Sequence, residues 1–343
     1  MGLASNATQY GCQFYIWSLY DKLADERYVD SRHFKGFEGR KTLFVTSVMR
    51  QAPHNHVLII SHINLALPAL LAKLANPRLK LVVVAHGIEV WQRLSRIQRW
   101  CLTIASAVWP VSHFTANVLT QQHRVPKQKI RVLYNTVNPF FAKAVEAPAL
   151  DQGYNLTGHG APLLLTVARI KSSEHAKGYD VILGLLPQLL HRFPQLMYVL
   201  AGPCEAAEQE RVIKLATSLG VQQRLVFTGD VPTIQLPGLY TRCQVFAMPS
   251  TKEGFGIVYL EAALCGCQVV AYYAGGAPEA LLHGKLGYLA QQGDTAGLLK
   301  ALIDALENPL STQEKATRKK MVEEHYGFGN FTRSIAQHIQ QLF

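Results

Sequence analysis

Short apolar runs alternate with helical patterns along most of the chain. The runs are rich in Val, Ile and Leu and end at turn residues. Strands that are buried on both faces of a parallel sheet read as such continuous runs, so the alternation predicts βαβ units. The strands predicted before residue 140 are Cys12–Ser18, Val57–Ser61, Leu79–Ala85, Ala107–Val111 and Ile130–Leu133. The Ser112 and Thr115 hydroxyls are suited to capping a helix over Ala116–His123.

The alternation is more regular after residue 160 and predicts a complete doubly wound domain of five strands and five helices. The predicted strands are Leu163–Ala168, Met197–Ala201, Leu225–Thr228, Val245–Met248 and Gln268–Tyr272. The predicted helices are Tyr179–Arg192, Glu205–Leu219, Ile234–Arg242, Gly256–Cys265 and Ala296–Asn308. The tail from Thr312 to Phe343 is predicted to be helical with a break at Tyr326–Gly329.

The chain is long enough for two α/β domains, since it has 343 residues. Glu146–Gly160 has no periodicity and suits a connection between them. We predict an α/β fold with two Rossmann-like domains whose parallel sheets face each other across a cleft. The predicted domains are residues 1–140 and 141–311, and residues 312–343 are predicted to return toward the first domain.

Positive charge is concentrated in the first part of the chain. Residues 1–140 hold 17 Lys/Arg and 6 Asp/Glu, a net charge of +11, whereas residues 141–343 hold 17 of each. Such a basic face attracts phosphate, for example in an anionic membrane surface. A basic surface that serves only solubility is the alternative. Nucleic-acid binding is disfavoured because no recognisable motif with interleaved aromatic residues accompanies the charge.

The cysteine pattern and the apolar stretches indicate in which cellular compartment the protein works and which kinds of site it can contain. The six cysteines contain no C-x2-C pair, which disfavours a disulfide framework or a zinc site. The chain opens with a polar segment rather than a signal peptide. The apolar stretch Val57–Ala75 is interrupted by His62, Asn64, Pro68 and Lys73, which argues against a membrane span. We therefore predict a cytoplasmic protein whose membrane contact, if any, is peripheral at the inner face.

The segment PSTKEGFGIVYLE, from Pro249 to Glu261, passes from a strand through two glycines into a helix. Such a loop brings backbone N–H groups to the positive end of a helix, where phosphate or sugar oxygens are stabilised. Glu253 and Glu261 are eight residues apart, so both carboxylates can serve one site. One carboxylate for a sugar and one for a ribose is a plausible division.

Two further elements follow predicted strands. Gly275 and Gly276, in AGGAPE, precede a helix and suit a phosphate, although Gly-Gly is also common as a plain turn. Arg169 follows the strand Leu163–Ala168, and Lys177 lies eight residues later. Two cations at the carboxyl edge of a parallel sheet can neutralise a nucleotide diphosphate without a metal ion.

These elements, in this order, resemble the retaining glycosyltransferases of family 4, which have the GT-B architecture. The resemblance runs through TVARIKSSEHAKGYD, YVLAGP, VFTGDV, the segment around EGFGIVYLE, and YYAGGAPEALLHGKLGYL. AHGIEVW and VSHFTANVL in the first half also resemble the family. The implied activity is transfer of a sugar from a UDP- or GDP-linked donor to an acceptor hydroxyl, with no cofactor and no metal ion.

The resemblance implies roles for individual residues. Arg169 and Lys177 would hold the donor diphosphate, Glu253 the transferred sugar and Glu261 the ribose. His86 would lie near the donor sugar and the acceptor, with Glu89 and Ser112 as weaker candidates. The other donor-binding positions are Gly202, Val231, Gly254, Phe255, Gly256, Gly275, Gly276 and Glu279.

One departure from the family concerns the start of the chain. Only eleven residues precede the strand Cys12–Ser18, which leaves no room for a preceding βα unit and its Gly-rich loop. We therefore expect the first βα unit of the family to be missing. Two functions remain: a glycosyltransferase of cell-surface polysaccharide or glycolipid synthesis, and a catalytically impaired subunit that binds sugar nucleotides. A nicotinamide-dependent dehydrogenase is disfavoured because no G-x-G-x-x-G follows a strand.

Overall fold

A computed structural model describes residues 13–141 and 161–343. The predicted strand start at Cys12, the room for a preceding βα unit and the connection Glu146–Gly160 lie outside these residues. The chain divides into two units, one formed by Met1–Asn135 with Phe328–Phe343 and the other by Thr136–Gly327. The second of the two C-terminal helices thus belongs to the first unit.

The first unit contains two parallel sheets among the described residues. The larger sheet has the order β3-β4-β5, and β1 pairs with β2 in a separate two-stranded sheet. The strands are β1 Ile16–Ser18, β2 Phe34–Gly36, β3 Val57–Ile60, β4 Lys80–Ala85 and β5 Ala107–Pro110. The helices are α1 Lys41–Gln51, α2 Ala66–Ala75, α3 Ile88–Trp91, α4 Arg96–Ile104 and α5 His113–Gln121.

Both faces of the three-stranded sheet are covered. Leu81 and Val83 of β4 pack on one face with residues of α2 and α4 such as Leu70 and Leu102. Val82 points to the other face, where the C-terminal helix packs. Alternate residues of a strand face opposite sides, and both sides are buried here, which explains the uninterrupted apolar run of β4.

The second unit holds one parallel sheet of six strands in the order β11-β10-β9-β6-β7-β8. Its strands are β6 Leu163–Val167, β7 Met197–Ala201, β8 Leu225–Gly229, β9 Val245–Met248, β10 Gln268–Tyr273 and β11 Tyr288–Gln291. Its helices are α6 Tyr179–Arg192, α7 Ala206–Ser218, α8 Leu236–Arg242, α9 Ile257–Leu264, α10 Ala277–Ala280, α11 Thr295–Glu307 and α12 Thr312–Tyr326, and α13 Phe328–Gln340 follows.

Strand order reverses between β9 and β6, which are neighbours in the sheet although they are far apart in the chain. This is the topological switch point of a doubly wound fold, where the loops after the two strands diverge and leave room for a ligand. The loop after β6 carries Arg169 and Lys177, and the loop after β9 carries Glu253.

Of the strand predicted over Cys12–Ser18, the described residues before Ile16 are not part of the strand. The structure corrects three further predicted elements. The six-stranded sheet has one strand more than predicted, since Tyr288–Gln291 pairs with β10. Ile130–Leu133 is not a strand: it makes one bridge to β5 and two backbone hydrogen bonds with it. Pro110 accepts from Leu133 but has no N–H to donate back, which ends the ladder.

The third correction concerns the helix after β5, which starts at His113 rather than Ala116. The Ser112 hydroxyl accepts the backbone N–H of Thr115 at 3.1 Å, so Ser112 itself is the cap. Its side chain is fully buried.

Candidate functional site

Lys177 and Glu253 form an ion pair at the switch point of the six-stranded sheet. The Lys177 Nζ donates to Glu253 Oε2 at 2.9 Å, and the two side chains are 17% and 12% exposed. Loops after two neighbouring strands thus bring together residues that are 76 positions apart in the chain. An ion pair that is largely removed from solvent is costly to desolvate, so it is weak evidence for stability and a candidate for function.

Backbone contacts hold the three loops of this site together. The Thr251 N–H donates to the Ala176 carbonyl at 2.8 Å, which joins the Glu253 loop to the Lys177 loop. The Gly276 N–H donates to the Glu253 carbonyl at 2.7 Å, which joins the Glu253 loop to the Gly-Gly loop after β10. These bonds place both carboxylate and cation against a Gly-rich backbone.

The glycines of these loops are required by close approach of the backbone. A Cβ on Gly276 would lie 2.3 Å from the Gly254 carbonyl oxygen, and one on Gly178 would lie 2.4 Å from the Pro249 carbonyl oxygen. Gly178 also has a positive φ of 81°. No other residue type fits either position without a shift of the main chain.

The other cation of the predicted site, Arg169, lies directly after β6 and is largely exposed. Its guanidinium is paired with the Glu174 carboxylate of the same loop. Gly202, after the neighbouring strand β7, packs so closely on Ala168 that a Cβ there would meet the Ala168 carbonyl oxygen at 2.0 Å. The Gly202 N–H donates to the Gly229 carbonyl, and Val231 beyond Gly229 is buried.

Glu261 lies inside α9 and is half-buried. It is not part of the Lys177–Glu253 ion pair. The Tyr240 hydroxyl donates to Glu261 Oε2 at 3.2 Å. Burial raises the pKa of Glu261 to about 7, and the Tyr240 hydrogen bond opposes part of this rise. The carboxylate is therefore poised to gain from a ligand that donates hydrogen bonds to it.

This pKa predicts a stability that falls as pH rises. The folded protein keeps the Glu261 proton between pH 4.5 and about 7, where the unfolded chain has lost it. We expect the free energy of unfolding to fall by about 1–3 kcal/mol across this range because of Glu261. Chemical denaturation at each pH measures the effect.

Two variants test whether Glu261 is the cause of this pH dependence. Glu261→Gln is expected to remove this part of the pH dependence. Tyr240→Phe is expected to enlarge it, because the hydrogen bond that lowers the Glu261 pKa is lost. An unchanged pH profile in Glu261→Gln would show that this carboxyl titrates normally.

The Gly-Phe-Gly segment lies between the two glutamates. Gly254, Phe255 and Gly256 are buried, and Gly256 caps α9 with a φ of 94°. The Tyr259 N–H donates to the Gly256 carbonyl at 3.1 Å. The two N–H groups before it have no possible acceptor within the helix, so this end can bind oxygens.

The Gly-Gly loop ends in the one-turn helix α10, which contains Glu279. Gly275 has a φ of 57°. Glu279 is 9% exposed, and its carbonyl accepts the Tyr326 hydroxyl. Gly275, Gly276 and Glu279 thus lie on a loop that backbone bonds attach directly to Glu253.

His86 belongs to the first unit and follows β4. Its Nε2 lies 2.8 Å from the Ser61 carbonyl, and its backbone N–H donates to the Glu89 carboxylate at 2.6 Å. His86 thereby links the ends of β3 and β4. Among the described residues no group of His, Cys, Asp and Glu is arranged to hold a metal ion.

Sequence reasoning missed the partners of the predicted residues. Glu174, Tyr240 and Thr251 contact Arg169, Glu261 and the Lys177 loop, respectively. Glu174 lies between Arg169 and Lys177 in the segment TVARIKSSEHAKGYD, so the sequence shows a carboxylate close to both cations. Tyr240 comes from a different helix, and no local pattern could have found it.

Two units with parallel α/β sheets, one of them with a Gly-rich site at a switch point, fit the GT-B architecture, and comparison with family profiles assigns the class. The profile described as "Glycosyl transferases group 1" matches residues 155–326, and that of "Glycosyltransferase Family 4" matches residues 3–140. The chain therefore belongs to the family 4 glycosyltransferases and is a transferase enzyme.

Similar proteins include two curated bacterial enzymes. The GDP-mannose-dependent alpha-(1-6)-phosphatidylinositol monomannoside mannosyltransferase of Mycolicibacterium smegmatis is 31% identical over 280 residues, which cover 78% of this chain and 70% of that protein. The N-acetyl-alpha-D-glucosaminyl L-malate synthase of Bacillus anthracis is 25% identical over 278 residues, with the same coverages.

The fold is also similar to that of solved structures. Anabaena HepE in complex with UDP superposes with a TM-score of 0.78 at 22% identity, covering 99% of this chain and 95% of HepE. The lipopolysaccharide outer core galactosyltransferase WaaB gives a TM-score of 0.70 at 15% identity, covering 96% of this chain and 90% of WaaB.

Proposed function

We propose that this enzyme transfers a hexose from a UDP- or GDP-linked donor to an acceptor hydroxyl with retention at the anomeric carbon. The Lys177–Glu253 ion pair at the switch point carries the proposal. It combines a cation suited to a diphosphate with a carboxylate suited to sugar hydroxyls. The two halves of a sugar nucleotide need these two chemistries side by side.

We assign the other candidate residues to the parts of the donor that surround the Lys177–Glu253 pair. Arg169 binds the diphosphate with Lys177, and Glu261 accepts the ribose hydroxyls. Amides of Gly254, Phe255 and Gly256 bind sugar oxygens. The neighbouring loop with Gly275, Gly276 and Glu279 also binds the donor. Gly202 and Val231 flank the base, and His86 contacts the sugar or the acceptor.

The chemistry assigned to these residues is electrostatic. The bond between the anomeric carbon and the β-phosphate oxygen breaks, and the acceptor oxygen bonds to the same face of the sugar. The acceptor proton passes to the departing phosphate, whose negative charge Arg169 and Lys177 stabilise. The proposal requires neither a metal ion nor a protein nucleophile.

Two observations on relatives support this class of donor. The Mycolicibacterium smegmatis relative is named as GDP-mannose-dependent, and HepE is described in complex with UDP. Three of the similar proteins are named as transferases or synthases, so a catalytically impaired subunit is not favoured. We propose a role in cell-surface polysaccharide or glycolipid synthesis.

Calorimetry with UDP and GDP, run beside a screen of sugar nucleotides for hydrolysis and transfer, tests the function. We expect one nucleotide to bind and its sugar conjugate to be consumed in the presence of EDTA. Binding without turnover of any donor would indicate the impaired subunit instead. Failure of both nucleotides to bind would overturn the proposal.

Proton release tests the ribose assignment separately. A carboxylate that accepts hydroxyls is favoured over its protonated form, so donor binding should lower the raised pKa of Glu261. At pH 7 we expect nucleotide binding to release a fraction of a proton, seen by calorimetry in two buffers of different ionisation enthalpy. The release should disappear in Glu261→Gln.

We also propose that the first unit contacts an anionic membrane at the inner face. Residues 39–141 contain 13 Lys/Arg and a single acidic residue, Glu89. The adjacent helices α2 and α4 expose Leu67, Leu74, Ile97 and Trp100, and α4 also exposes Arg96 and Arg99. Aromatic and aliphatic groups flanked by arginine suit a bilayer interface. No helix in the described part of the chain is long and apolar enough to cross a membrane.

Flotation with phosphatidylglycerol vesicles measures this contact. We expect binding that is lost with phosphatidylcholine or at high salt, because the attraction is screened. Arg96→Gln with Arg99→Gln should weaken binding by about 1 kcal/mol per charge. Ile97→Ser with Trp100→Ser should weaken it further, whereas Ile234→Ser, an exposed residue of the second unit, should not. Equal binding to neutral vesicles would contradict the electrostatic part.

A further inference from the structure

A buried carboxylate lies behind the loop that carries Lys177. The Glu208 side chain, on α7, is only 3% exposed and lies on the buried face of that helix with the apolar Val212 and Ala216. It is surrounded by polar groups from three segments, namely His175, Tyr179 and Arg211. None of these residues belongs to the donor site proposed above.

Both carboxylate oxygens of Glu208 accept hydrogen bonds. Tyr179 donates its hydroxyl to Oε1 at 2.7 Å, and Arg211 donates to both oxygens, with Nε at 3.1 and 3.0 Å. The Arg211 guanidinium lowers the pKa of Glu208 to about 2, so the group is a carboxylate. Arg211 also donates to Asp180 at 2.8 and 2.9 Å, which fixes the guanidinium.

His175 connects this cluster to the loop. Its Nε2 lies 3.0 Å from Glu208 Oε1. Since a carboxylate oxygen only accepts, this nitrogen must carry the hydrogen and donate. His175 is two residues before Lys177 in the segment Ser172–Lys177, and its side chain is 46% exposed.

The loop is held on both sides of Lys177. The Ala176 carbonyl accepts from Thr251 on the side of the donor loop, and Gly178 contacts Pro249. On the other side the His175 ring is bonded to Glu208. Without that bond the segment before Lys177 has one attachment fewer, so the backbone that carries the long lysine side chain is held less firmly.

We infer that Glu208, acting through the His175 ring, positions Lys177 for the donor diphosphate. Both are assigned as positioning residues, because His175 and Glu208 contact each other and neither belongs to the Lys177–Glu253 pair. The inference rests on the proposed function of Lys177. Burying the Glu208 carboxylate costs free energy of desolvation, and a positioning role accounts for its burial.

His175→Ala tests this inference with little danger of unfolding, because the ring is half exposed. We expect kcat/KM for the donor to fall about fivefold to tenfold, the size typical of coupling between contacting residues. His175→Gln keeps an N–H donor and is expected to restore most of the activity. His191→Ala, an exposed histidine of α6, is the matched control and should behave as wild type.

The Lys177→Met background separates positioning from general damage. If His175 acts through Lys177, His175→Ala should have almost no further effect on kcat/KM once the ammonium group is gone. Glu208→Gln should show the same dependence on Lys177 in any preparation that remains folded by circular dichroism.

The outcomes are distinct. If Lys177→Met leaves kcat/KM for the donor unchanged, the proposed function of this site fails. If Lys177→Met is impaired while His175→Ala equals wild type, the function stands and the inference is wrong. The inference is equally wrong if His175→Ala costs the same factor with and without Lys177.

Discussion

Glu253→Gln is expected to lower kcat by about 100-fold to 1000-fold while the protein stays folded, the range seen when one polar group that stabilises a transition state is removed. The glutamine oxygen can still accept from Lys177, so the side-chain contact at 2.9 Å is kept. The negative charge beside the sugar is lost. Donor turnover and a thermal melt on the same preparation measure the two effects.

A second Glu–Lys pair provides the control for this variant. Glu210 and Lys214 form an ion pair on α7 whose side chains are exposed. Glu210→Gln should leave kcat unchanged and stability within about 0.5 kcal/mol, because exposed pairs contribute little. Full turnover by Glu253→Gln would exclude Glu253 from the site.

Gly276→Ala is expected to impair both stability and activity. Its φ of −86° suits alanine, so the effect comes from space alone. The new methyl group would meet the Gly254 carbonyl oxygen at 2.3 Å and the Phe255 Cα at 2.8 Å. Because these are backbone atoms, the two loops must separate. We expect a loss of about 1–3 kcal/mol in unfolding free energy and about 100-fold in kcat/KM.

Gly184→Ala is the matched substitution at an open position. Gly184 lies inside α6, and a Cβ there would meet no atom within 4 Å. This variant should be more stable by about 0.5–1 kcal/mol and equally active. If Gly276→Ala were as stable and active as Gly184→Ala, the tight contact between the two loops would be refuted.

The apolar pattern determined most of the fold. Met197–Ala201, Val245–Met248 and Tyr179–Arg192 have the predicted bounds in the structure. These segments are buried in the sheet or present a regular apolar face, so local sequence and tertiary packing agree. The charge asymmetry and the Gly-rich loops were also evident from the residues alone.

The pattern failed where an element is short or depends on its neighbour. The strands Phe34–Gly36 and Tyr288–Gln291 are only three and four residues long, and their pairing with adjacent strands defines them. Ile130–Leu133 has a strand-like sequence, yet Pro110 on β5 cannot complete its ladder. Backbone hydrogen bonding between distant segments decides such cases.

For the site, the sequence by itself determined which residues follow which strands. Arg169, Lys177, Glu253 and Gly276 follow from motifs and from the rule that parallel sheets bind ligands at their carboxyl edge. Only the tertiary structure decided their pairing, because β6 and β9 are adjacent in the sheet. It joined Lys177 to Glu253 and buried Glu261 beside Tyr240. Distances and burial depend on folding, and no local pattern encodes them.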